Sequence, residues 1–280
     1  MTGLCRRYKA IIWLAQTSAI IKRQRRKEEN MEKTLKIIGV IPARYKSSRF
    51  PGKPLVDICG KPMIWWVYQQ AMKVHEFDKV YVATDDERIK AACDEHNMNV
   101  IMTSDRHQTG SDRVAEVASK VDGDLFINIQ GDEPVINPEM IQEVISIFFE
   151  DETVTFGSLK KEITDPEEIR AASTVKVVTD QKGDAMYFSR SVIPSNIKDG
   201  QMARVFRHVG IYAYKREFLE AFSKMTQTEL ELGEGIEPLR AMERGYKMRL
   251  KETKHSSIGV DLPEHIEKVE RVIQGIDKLD

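Results

Sequence analysis

The chain is poor in cysteine, in long apolar runs and in net charge. Its three cysteines, Cys5, Cys59 and Cys93, are odd in number and lack Cys-x-x-Cys spacing, so neither a disulfide framework nor a structural zinc site is expected, and a reducing compartment fits. No stretch reaches the ~20 apolar residues that a membrane-spanning helix needs. The apolar run from Ala10 to Ile21 is interrupted by Gln16, Thr17 and Ser18 and followed by Lys22, Arg23, Gln24, Arg25, Arg26 and Lys27, the wrong flank for an export signal. A formal net charge of -1 supplies no global basic field. Nucleic acid is therefore not an expected partner, and any polyanion must be held by a local cluster. A Walker A loop, an HExxH pair and a recognisable nucleophile triad are also missing.

What is present is an α/β grammar behind a basic extension. Residues 1–34 carry eight Lys or Arg before position 30 and no packed-core pattern, and are expected to be a disordered extension upstream of the domain. From Leu35 onward, Leu35 to Ile41, Lys79 to Thr84, Asn99 to Thr103 and Leu125 to Gln130 have the near-continuous apolar character of buried parallel strands. Pro62 to Glu76 and the segment opened by Asn137-Pro138-Glu139 have helix starts. After Asp151 the pattern predicts strands with few helices between: Thr153 to Lys160, Thr174 to Thr179, Ala185 to Phe188 and Arg207 to Tyr214. Helices follow over Lys215 to Phe222, Glu231 to Arg244 and Leu262 to Gly275. The expected fold is a doubly wound, mostly parallel α/β sheet with a small mixed or antiparallel flap. A nucleotide-binding half is expected over 35–150 and a second half over 151–280.

The chemistry-bearing segments lie at strand ends, where open α/β sheets bind ligands. Ile41 to Leu55 (IPARYKSSRFPGKPL) puts Arg44, Lys46, Arg49 and Lys53 in one loop, suited to a polyphosphate or simply solvated. Gln130-Gly131-Asp132-Glu133-Pro134 follows the fourth strand; Asp132 there can hold Mg²⁺ or merely build a turn. Asp261, in Gly259-Val260-Asp261-Leu262-Pro263, can supply a second carboxylate or cap the last helix. His96, His107 and His255 read as solvated loop residues.

Seven segments in this order carry a family resemblance: Ile41–Leu55, Val82–Ile89 (VATDDERI), Met102–Arg113 (MTSDRHQTGSDR), Ile127–Pro134 (INIQGDEP), Val175–Arg190 (VKVVTDQKGDAMYFSR), Arg207–Leu219 (RHVGIYAYKREFL) and Gly259–Glu270 (GVDLPEHIEKVE). Together they resemble the 3-deoxy-manno-octulosonate (Kdo) cytidylyltransferases from about Ile37 to the C-terminus. The resemblance implies a cytoplasmic homodimer that joins CTP to Kdo with Mg²⁺, releasing pyrophosphate and feeding lipopolysaccharide synthesis. It implies catalytic roles for Arg44, Lys53, Asp132 and Asp261, the last two as metal ligands. Nucleotide contacts fall on Ala43, Arg44, Ser48, Lys53, Ser111, Arg113 and Gln130, and sugar contacts on Arg190, His208, Tyr212 and Glu234. The chain departs from the family pattern at Pro238, where Gln is usual, at Ala172-Ser173-Thr174 and at Leu262. A related ulosonic acid, or a non-catalytic sugar-nucleotide-binding homologue, is the alternative.

Overall fold

A computed structural model of the chain describes residues 35–46, 50–195 and 203–279. The basic extension over 1–34 and Ser48 lie outside the described residues. Strand β1 (Ile37–Ala43) is buried along almost its whole length, and it pairs in parallel with β4 (Lys79–Thr84) and β6 (Leu125–Asn128). Outside β4 lies β5 (Val100–Met102), also parallel. Between β1 and β4 come a short hairpin, β2 (Asp57–Ile58) and β3 (Lys61–Pro62), and helix α1 (Met63–Ala71). Two further crossovers carry α2 (Glu87–Glu95), capped by the Asp86 side chain, and α3 (Gly110–Lys120), which begins with a capping box of Thr109 and Asp112. These side-chain acceptors satisfy amides that a helix start leaves open.

Beyond β6 the chain runs α4 (Pro138–Glu150), β7 (Phe156–Ile163), α5 (Pro166–Arg170), β8 (Lys176–Thr179), β9 (Ala185–Ser189) and β10 (Val205–Lys215). Strand β10 lies antiparallel between β6 and β7, so one sheet runs through both halves expected from the sequence. Its order is β11-β7-β10-β6-β1-β4-β5 with β8 and β9 attached to β10 as an antiparallel ribbon; β11 is Arg249–Glu252. Helix α6 (Arg216–Phe222) puts Phe218 and Phe222 against Phe156 and Tyr214, with ring centroids 4.9 to 6.3 Å apart. That aromatic stack fills one face of the sheet.

The segment expected to be helical over Glu231 to Arg244, with a helix starting at Pro238, forms two short helices, α7 (Glu229–Glu234) and α8 (Leu239–Met242), the second of which does start at Pro238. Gly235, at φ 65°, ends the first, and Pro238 stands at the N-cap of the second. Proline has no amide to give a helix interior but is tolerated at its start. The last helix, α9 (His265–Ile273), starts three residues later than the sequence pattern suggests.

Candidate active site

The carboxyl ends of β1 and β6 and the entry to α3 surround a cavity of about 350 Å³. Pro42, Ala43 and Arg44 come from β1 and the loop after it, and Lys53 and Pro54 from the 3₁₀ turn Lys53–Leu55. His107 to Gly110 and Arg113 supply the α3 side; Gln130, Gly131 and Asp132 continue from β6, and Asp261 closes the wall. The size and the mixed polar lining suit a small charged ligand. Gly131 is required here: a Cβ at this position would stand 2.5 Å from the Pro42 carbonyl oxygen. Only the absence of a side chain lets the turn after β6 close against the end of β1.

Two carboxylates meet at one ammonium. Lys53 Nζ donates to Asp132 Oδ2 at 2.6 Å and lies 3.6 Å from Asp261 Oδ1. The backbone explains the convergence: the Val260 amide donates to the Asp132 carbonyl at 2.8 Å, pinning the segment that carries Asp261 onto the turn. Asp261 is not the cap of the last helix, whose N-cap is Glu264. The Lys53 side chain is 14% exposed and those of Asp132 and Asp261 are 32% and 46% exposed, so the carboxylates stay open to solvent. Arg113 is buried against Asp85, 3.1 Å away, and donates to Thr103. Burial pulls its pKa below the ordinary guanidinium value while Asp85 opposes the shift.

Ser111, expected on the nucleotide side, is not on the cavity wall. It is buried, sharing a 2.9 Å bond with the Tyr214 hydroxyl and donating to Glu237 at 3.0 Å. Reading the segment Glu234 to Arg240 for its departures passes over Glu237, whose pKa burial raises. The only sequence signal for it is its place beside Pro238. His107 and His255 are also not merely solvated. His107 Nε2 lies 2.5 Å from Glu116 at the cavity edge, and His255 meets Glu139 at 2.8 Å. Glu116 also accepts from Lys120 and the Ser104 amide, and these bonds outweigh its desolvation to hold its pKa at about 2.

The four expected sugar-side residues are not on this cavity's wall and form two groups, His208 with Tyr212 and Arg190 with Glu234. Tyr212 sits opposite Asn128 in the β10–β6 register, two residues before Gln130. His208 packs its ring against Tyr212 at 5.3 Å and against the edge of Phe188 at 4.9 Å, and Nε2 shares a 3.0 Å bond with Ser158. Burial drives the His208 pKa down to about 3 and pushes that of Tyr212 up. At neutral pH one is an uncharged imidazole and the other a phenol. Glu234 accepts from the Arg190 amide at 2.9 Å and from Ser189 Oγ at 2.7 Å, which hold it ionised. The Arg190 guanidinium donates to the carbonyls of Glu234, Ala172 and Gly235. It is a clamp between the β9 end and the α7 end, with its face to solvent.

Comparison with known proteins places the chain in a family. Residues 38–253 match the cytidylyltransferase family model. The chain is 46% identical over 245 residues to the 3-deoxy-manno-octulosonate cytidylyltransferase of Geobacter metallireducens, covering 84% of this chain and 96% of that protein. It is 48% identical over 236 residues to the protein of that name from Fusobacterium nucleatum, covering 84% and 96%. Among solved structures, a CMP:2-keto-3-deoxy-manno-octonic acid synthetase complexed with CTP superposes with a TM-score of 0.82 at 42% identity, covering 86% of this chain and 99% of that one. A 4-diphosphocytidyl-2C-methyl-D-erythritol synthase from Anaerococcus prevotii, at 17% identity and a TM-score of 0.56 over 85% and 99% of the two chains, shares the fold. With its mostly parallel sheet, its antiparallel ribbon and its matched length, the chain belongs to the 3-deoxy-manno-octulosonate cytidylyltransferase family.

Proposed function

We propose that the protein transfers the cytidylyl group of CTP to 3-deoxy-manno-octulosonate, forming CMP-Kdo and pyrophosphate for lipopolysaccharide synthesis. The observation that carries this reading is the meeting of Lys53, Asp132 and Asp261 at one cavity edge, with Arg44 and Arg113 on the same wall. Three cations suit a triphosphate. Two carboxylates converging on a cation offer the hard oxygen donors that Mg²⁺ takes, and the described residues contain no cluster of three or more His, Cys, Asp or Glu that could cage it alone. The fit is therefore to Mg²⁺ held by Asp132 and Asp261 with phosphate oxygens and water completing its shell. When bound, the ion supplies charge neutralisation at the α-phosphate and lowers the pKa of a coordinated hydroxyl.

The chain's own residues do the rest. Arg44, Lys53 and Arg113 offset the charge of the triphosphate, and Ala43 and Gln130 face the same space. His208, Tyr212, Arg190 and Glu234 orient the sugar acid so that its anomeric hydroxyl reaches the α-phosphorus. A P–O bond forms there as the bond to pyrophosphate breaks, and the hydroxyl proton leaves to solvent. Bringing two anions together in line is the main task. We include in this reading a cytoplasmic homodimer, supported by the exposed apolar side chains of Met186, Leu230 and Leu232 on β9 and α7. No helix among the described residues is long and apolar enough to cross a membrane.

Pyrophosphate release from CTP with a panel of ulosonic acids tests the reading. Kdo should be the preferred acceptor, and no release with any acid would overturn it. An amino-substituted Kdo is the second candidate in that panel.

A further inference from the structure

A side chain outside the cavity wall packs against the loop that carries Arg44 and Lys53. Arg88, in the first turn of α2, lies with its guanidinium carbon 3.2 Å from the centroid of the Tyr45 ring. Asp86 holds that guanidinium flat through two bonds, Nε to Oδ1 at 2.9 Å and Nη2 to Oδ2 at 2.7 Å. The Asp86 amide in turn bonds Thr84 Oγ1 at 3.2 Å, at the end of β4. Gly52 also lies against the Tyr45 ring. A Cβ on Gly52 would be 3.1 Å from that ring, the Gly52 amide donates to the Tyr45 carbonyl at 2.9 Å, and its φ of 73° suits glycine. Tyr45 is thus fixed by both Arg88 and Gly52, with Arg44 directly before it and Lys53 directly after Gly52.

We infer that Arg88 is a positioning residue for the triphosphate of CTP, acting through its stack on Tyr45 to hold Arg44 and Lys53 in a binding arrangement. This deepens the functional reading above and rests on it. A guanidinium stacked on an aromatic face is a directional contact that an ammonium does not reproduce, because the planar fork both stacks and grips a carboxylate. The stack holds the loop on the β4 side, and the cost of ordering it is met before nucleotide arrives.

Calorimetric titration of CTP into the wild-type chain, Arg88→Ala, Arg88→Lys, Tyr45→Phe and Tyr45→Ala, with sugar KM and thermal midpoints measured in parallel, tests the inference. Arg88→Ala and Tyr45→Ala should each weaken CTP binding about fivefold to tenfold, with sugar KM and melting temperature unchanged. Tyr45→Phe should bind as wild type, and the double variant should be no worse than Tyr45→Ala, as expected for residues acting as a unit. Arg88→Lys keeps the charge and should still lose affinity. If it binds CTP as well as wild type, Arg88 acts as a charge rather than a stack and the inference falls. Unchanged affinity in Arg88→Ala, or equal loss on CTP and sugar, also overturns it. A wild-type chain that binds no CTP overturns the functional reading, and this inference with it.

Discussion

The two ends of the site are built on opposite plans. At the phosphate end, Lys53, Asp132 and Asp261 meet as one ion cluster whose carboxylates stay partly open to water. At the proposed sugar end, polar groups are already tied to the protein. Arg190 holds three carbonyls, Glu234 accepts from the Arg190 amide and Ser189, and His208 is enclosed by Phe188, Tyr212 and Ser158. If the proposed function holds, one end keeps its charge for the reaction while the other uses its polar groups to hold shape. Substitutions at the first should strike turnover without unfolding the chain. Substitutions at the second should disturb stability or sugar affinity.

The largest effect expected is on turnover at the phosphate end. Asp132→Asn and Asp261→Asn should each lower kcat by at least about a hundredfold, since losing several kcal/mol of charge stabilisation costs a factor of ten for every ~1.4 kcal/mol. Stability should change by less than about 1 kcal/mol, the ordinary worth of an exposed ion pair. Steady-state kinetics at saturating substrates and a thermal melt read the two quantities separately. A variant that melts early but turns over normally would erase the contrast between the ends.

Next comes the buried pair beneath the sugar end. Glu231 on α7 accepts from Arg240 on α8 at 2.6 and 2.8 Å, and both side chains are 5% exposed. Removing one partner strands the other charge away from water. Glu231→Gln should therefore cost about 3 to 5 kcal/mol, whereas Glu231→Leu with Arg240→Met together should recover most of that loss. Urea denaturation of the three chains decides it. If Glu231→Gln is neutral, the pair is not what joins the two short helices.

Parts of this contrast were legible in the sequence and parts were not. Strand β4 falls where its near-continuous apolar run puts it, Lys79–Thr84, whereas Asp132 and Asp261 could from spacing alone have been a turn residue and a helix cap. The sugar cluster was legible only through the family resemblance. His208 and Tyr212 lie on opposite sides of the bulge in β10, and no periodicity in one strand predicts which side chains an irregular register brings together. The hairpin β2–β3 is too short to leave a pattern, and β11 reads Arg-Leu-Lys-Glu, mostly charged rather than an apolar run. Ser111 too was named only through the resemblance, and no local pattern shows that Tyr214 and Glu237 from distant segments bond its hydroxyl.

A smaller and more selective effect should come from the sugar-side residues themselves. His208→Ala and Arg190→Ala should raise KM for the sugar acid about tenfold to a hundredfold, the worth of a hydrogen bond to a charged group, and leave KM for CTP near its wild-type value. Arg190→Ala should also lower the melting temperature, because its guanidinium joins β9 to the end of α7. Varying each substrate in turn separates the outcomes. Equal effects on both KM values would move these residues out of the sugar site.

The smallest effect concerns pH, and it sharpens the contrast most finely. The His208 pKa falls to about 3 in the folded chain because burial disfavours the charged ring, against 6.5 when unfolded. A folded pKa below the unfolded one means that the unfolded chain binds the extra proton first. The stability that His208 contributes is thus complete above pH 6.5 and is lost progressively as the pH drops toward 3. His208→Asn, which has nothing to titrate there, should unfold at a lower pH relative to its own neutral stability than wild type does. The functional consequence follows from the same shift. An imidazole that stays neutral hydrogen-bonds the sugar as a dipole rather than a cation, so the KM for the sugar acid should show no His titration from about pH 6 to pH 8. A step near 6.5 that vanishes in His208→Asn would mean that the ring is charged when sugar binds, and the sugar end would then use charge as the phosphate end does.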